Sequence, residues 1–87
     1  MSKERDFPVP LSTVEAFRQP DRVRDTFVVW SDYSVSVAEA FSTLSRVAHE
    51  RGAHEVVGVR LIRAQSYHAI NTEFDLVAYG TAVVYEP

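Results

Sequence analysis

Between Ser36 and Gly52 the apolar positions recur at helical spacing. Val37, Ala40, Phe41, Leu44, Val47 and Ala48 fall within one stripe, and Glu39, Ser42, Thr43, Arg46 and Glu50 take the opposite or flanking faces. Ser36-Val37-Ala38-Glu39 has the form of a capping box, in which the serine hydroxyl takes a free backbone amide of the first turn. Gly52 follows Arg51 where a left-handed residue closes a last turn. The pattern therefore predicts a helix ending at Arg51.

The flanking segments change period. Asp25 to Ser31, "DTFVVWS", is rich in β-branched and aromatic residues and reads as a strand. Glu55 to Gln65 alternates, with Val57, Val59 and Leu61 expected on one face and Val56, Gly58, Arg60 and Ile62 on the other. Glu73 to Tyr85 is a long third strand. Its even positions Phe74, Leu76, Ala78, Gly80, Ala82 and Val84 are all apolar, and its odd positions Val77, Tyr79, Thr81, Val83 and Tyr85 are mostly so.

The element order β-α-β-β predicts an α+β fold, one helix packed on a three-stranded sheet of order 1-3-2. A right-handed crossover sets the first two strands parallel, with the third between them and antiparallel to both. One helix covers one face. The uncovered face of such a sheet is ordinarily polar, so an apolar second face marks a contact surface. Val77, Tyr79, Val83 and Tyr85 are the expected interface of a homo-oligomer.

Residues 1–24 differ in character from the domain expected at 25–87. They hold three of the four prolines and no strong periodicity. Ser12-Thr13-Val14-Glu15 also fits a capping box, which predicts a short helical turn through Phe17 ended before Pro20. The segment is expected to be an arm, available to dock a protein partner or a neighbouring subunit.

At 87 residues the chain buries only about 60–65% of the surface its unfolded form exposes. With no cysteine there are no disulfides or thiolate metal ligands, which leaves oligomerisation as the available staple for a small core. The net charge of −3, with arginines spread along the chain, argues against a nucleic-acid partner. No apolar run reaches the ~20 residues that span a bilayer, and "MSKERDF" lacks the apolar segment of a secretory signal. A cytoplasmic location without membrane association is the expectation.

The stretches Ala48 to Arg60, "AHERGAHEVVGVR", and Ala78 to Val83, "AYGTAV", resemble the YbjQ-like proteins, a family labelled as a heavy-metal-binding domain. The resemblance covers residues 36–86. It implies a dodecin-subunit-like fold and a ring-shaped homo-oligomer, commonly a pentamer. The chain departs from the pattern between the first strand and the helix, where the short "DYSVS" replaces a glycine-rich segment.

Three histidines are candidate metal ligands: His49, His54 and His68. Imidazole suits zinc, nickel or copper, but a site needs three or four ligands in fixed geometry. His49 and His54 are five apart, with Gly52 breaking the helix between them, so solvent-exposed histidines at a helix end are the competing reading. Trp30 is a candidate flavin platform, because dodecin-like relatives stack flavins on aromatic residues; packing is its alternative. Asp32, Tyr33, Tyr67 and His68 form the pool for acid–base work or for a binding rim. There is no nucleophile elbow, phosphate loop or paired-carboxylate motif. The expectation is a binding or scaffold module without enzymatic activity or a resident cofactor; the alternative is a carrier of a small ligand or metal ion at sites between subunits.

Overall fold

Ser36 opens the helix as its spacing requires, its hydroxyl accepting the Glu39 N–H at 3.1 Å. The computed structural model describes residues 7–65 and 74–87. Helix α1 (Val37–Glu50) closes through Gly52 at φ +82°. There the Ala53 N–H donates to the Ala48 carbonyl and the Gly52 N–H to that of His49, both at 3.0 Å. These two bonds make a Schellman motif and satisfy carbonyls the helix end leaves free.

Strands β1 (Val23–Trp30), β2 (Glu55–Gln65) and β3 (Phe74–Tyr85) form one sheet of order β1-β3-β2, with β3 antiparallel to both neighbours. The fold is α+β with the strand-helix-strand-strand order the periodicities predict. Leu44, Ala40 and Ala48 of α1 pack on Val29, Val56, Val59, Ala78 and Ala82 of the sheet. Small alanines on both surfaces let helix and sheet approach closely. Val37, placed in the buried stripe by spacing, is exposed, and Ser45 is buried instead.

The expected faces of β2 are overturned by a bulge. Val57 pairs with Thr81 and Arg60 with Tyr79, so Gly58 and Val59 together stand opposite Gly80. Gly58 takes φ +62°, a conformation costly for residues with a Cβ. The extra residue inverts the alternation. Val56 and Val59 share the helix side, whereas Val57 joins Val83 and Tyr85 on the other face.

Residues 7–22 do not form the expected turn of helix. Instead, the Ser12 hydroxyl accepts the Val14 N–H two residues on, a local turn that competes with helix. Leu11 pairs in parallel with Val56. Four backbone bonds fasten the arm to the outer edge of β2: Val56 N–H to Pro10, Ser12 N–H to Val56, Val59 N–H to Ser12 and Gly58 N–H to Val14, at 2.9–3.0 Å. The arm thus folds back on its own chain as a partial fourth strand. Its helical piece is a 3-10 turn at Pro20–Arg22.

Among the described residues no helix is long and apolar enough to cross a membrane.

Candidate functional site

The sheet face away from α1 divides into two halves. At one end, Val57, Val83 and Tyr85 are buried within the single chain. A carboxylate organises this half. The Tyr85 hydroxyl donates to Glu55 Oε2 and accepts the Gln19 N–H at 3.3 Å. The Arg18 N–H donates to Glu55 Oε2 at 3.2 Å, and Arg18 Nε lies 3.3 Å from Glu55 Oε1. Glu55 is 4% exposed, so it is a buried charge supplied with a cation, a hydroxyl and an amide, as burial of a charge demands. The arm's second segment, Arg18 and Gln19, is thereby pinned over the end of the sheet.

At the other end the face is open. Val28 is 60% exposed, Trp30 60%, Ile62 47% and Tyr79 37%, at neighbouring register positions across all three strands. Of the four residues expected at an interface, Tyr79 belongs to this open half and Val77 beside it is half-buried. Val83 and Tyr85, at 0% and 5%, are already covered. The sequence pattern held no sign of this division, because the cover comes from a segment some sixty residues away in the chain.

A pocket of about 200 Å³ lies where β1 leaves the sheet, lined by Trp30, Ser31, Asp32, Tyr33 and Val77. A second, apolar pocket of about 390 Å³ lies between the arm and the helix, with Phe7, Leu11, Phe41 and Val59 on its walls.

The histidines are not brought together. His49 is exposed in the last turn of α1. His54 Nδ1 accepts the Tyr85 N–H at 2.9 Å, and the His54 N–H donates to the Val83 carbonyl at 2.8 Å. Its ring sits 6.1 Å from that of Tyr85, centroid to centroid, and only Nε2 is left for any further partner. His68 and Tyr67 lie outside the described residues. No group of three or more His, Asp or Glu side chains that would hold a metal ion occurs among the described residues. The described donors of one chain, with Glu55 committed to Arg18 and Tyr85, therefore do not by themselves make a heavy-metal site.

Arg60 turns to the arm. Its guanidinium donates to the Thr13 carbonyl at 2.9 Å and lies 3.7 Å from Glu15. Gly80 makes room for the neighbouring strand β2. A Cβ there would stand 2.8 Å from Val56 Cγ1, 3.0 Å from the Val57 carbonyl oxygen and 3.2 Å from Val59 Cγ2, all atoms of β2 in or next to the bulge.

No curated protein and no solved structure matches the chain. One family model does, over residues 32–86, a span that begins in the loop after β1 and includes α1, β2 and β3. The chain belongs to the YbjQ family, described as "Putative heavy-metal-binding".

Proposed function

We propose that the protein is a homo-oligomeric binding or scaffold module whose subunits meet through the open half of the second sheet face. The observation that carries the reading is the apolar set Val28, Trp30, Ile62 and Tyr79, left uncovered by both the helix and the arm. A contiguous apolar surface on a small monomer is the usual sign of a contact site, and a second copy supplies the same surface in return. The small core and the absence of disulfides favour the same solution. The YbjQ resemblance adds the expectation of a ring, with a pentamer as its common form.

Carriage of a metal ion or a flavin-type ligand is the second reading. The family description favours the metal. Because one chain does not assemble a ligand set among its described residues, a metal site would draw on ligands from several subunits, with His54 Nε2 and His49 as this chain's contributions.

Native mass spectrometry of the protein as purified tests both readings. The expected spectrum is an oligomer at micromolar concentration that dissociates in Tyr79→Glu. A wild-type monomer overturns the assembly. Bound metal at near-stoichiometric level, lost when the histidines are replaced by alanine, establishes the carrier reading, and metal-free oligomers overturn it.

A further inference from the structure

The geometry points to a site for a small organic cation, an ammonium group bearing methyl or methylene substituents, at Trp30, Asp32 and Tyr33. It rests on the pocket where β1 leaves the sheet, and it shares Trp30 with the apolar set proposed as the contact face.

The pocket is built on a fixed loop. Ser31 and Ser34 are both buried, and each is tied to β3 in both directions. The Ser31 N–H donates to the Ala78 carbonyl at 2.7 Å, and the Ala78 N–H returns to Ser31 Oγ at 2.9 Å. The Ser34 N–H donates to the Leu76 carbonyl at 2.9 Å, and the Leu76 N–H to the Ser34 carbonyl at 2.7 Å. Both hydroxyls donate to the Asp32 carbonyl, at 3.0 and 3.1 Å. Four residues are thus held at both ends and drawn in at the middle, so little ordering remains when a ligand enters.

What this loop presents has one chemical character. Trp30 and Tyr33 are 60% and 64% exposed, an unusual display for two large rings on a pinned segment. Asp32 supplies a carboxylate that has no hydrogen-bond or ion-pair partner among the described residues. Among the described residues no cationic side chain lines the pocket. Aromatic faces attract cations through the ring quadrupole, and a carboxylate adds the opposite charge. An anion would face the Asp32 carboxylate with no cationic side chain among the described lining residues to offset it. A lone hard metal ion would want six or more oxygen ligands, and one carboxylate falls short of that. The volume, about 200 Å³, is below the roughly 300–1,000 Å³ of sites for drug-sized ligands, which limits the occupant to a headgroup.

Trp30 is the only tryptophan in the chain, so its fluorescence reports on this pocket and on the open face beside it. Titrations at one fixed protein concentration hold the assembly contribution constant. The test titrates the full chain with tetramethylammonium chloride, and in parallel with potassium chloride at equal ionic strength and with tert-butanol as a neutral analogue of similar shape. A saturable change with tetramethylammonium only is the expected result. Asp32→Asn is exposed and near-isosteric; it should weaken the affinity about tenfold with circular dichroism unchanged, as should Tyr33→Ala. Trp30→Phe, followed by calorimetry, should keep weakened binding, since a ring face remains. A response that is linear, or shared with potassium or tert-butanol, overturns the site. So does an Asp32→Asn variant that binds as the wild type does.

Discussion

Two glycines in facing strands account for the shape of β2. Gly58 supplies the left-handed residue of the bulge, and Gly80 supplies the space into which the bulged strand presses. Both were visible in the sequence as glycines inside strands, where the residue is unfavourable without a reason. The reason was hidden because each explains the other across the sheet, and a one-residue bulge reverses every face assignment after it. Gly80→Ala should cost about 1–3 kcal/mol, since the Val57 carbonyl oxygen is backbone and gives way poorly. Gly58→Ala should cost about 1–2 kcal/mol from its positive φ, with Glu15 Cγ 3.0 Å from the added methyl as a further obstacle. Urea unfolding checks both through a lowered midpoint with an unchanged slope. A Gly58→Ala protein as stable as the parent would mean that the bulge has shifted register.

At the scale of elements, α1 and the three strands were legible because their periods are strong and the caps sit where the periods end. The arm was not. Ser12 and Glu15 match a capping box, but a helix there would forfeit the four bonds to the edge of β2 and the Glu55 cluster. Long-range pairing outweighs a local cap when the competing helix is only a turn long. The arm in turn protects an edge that would otherwise offer its amides to another chain. Ser45 fixes it from the helix side, accepting the Val9 N–H at 2.9 Å and donating to the Val9 carbonyl at 2.7 Å. Ser45→Ala leaves both buried groups of Val9 unpaired, at about 1–3 kcal/mol each on the scale for lost buried partners. Hydrogen exchange should then show faster exchange at Ser12, Val56, Gly58 and Val59 than at the β1–β3 ladder. Uniform change across the sheet would instead mean that the arm and the sheet open as one unit.

For the whole molecule, the decisive fact is that one apolar face has two fates within one chain. Alternation along β3 showed that the second face is apolar, and could not show that Arg18, Gln19 and Glu55 close half of it. The two halves respond differently to the same substitution. Val83→Glu places a charge at a fully buried position beside Val57 and Tyr85, and with no cation built to meet it the chain should lose several kcal/mol and unfold. Tyr79→Glu places that charge on the open half, where a single chain tolerates it in water and an assembled interface does not. The variant should keep its thermal transition when diluted to monomer, yet fail in native mass spectrometry to form the oligomer proposed for the wild type. If both variants unfold, the open half is already closed within the chain. If Tyr79→Glu assembles as well as the wild type, the subunits meet elsewhere, and the uncovered strand edges become the place to look.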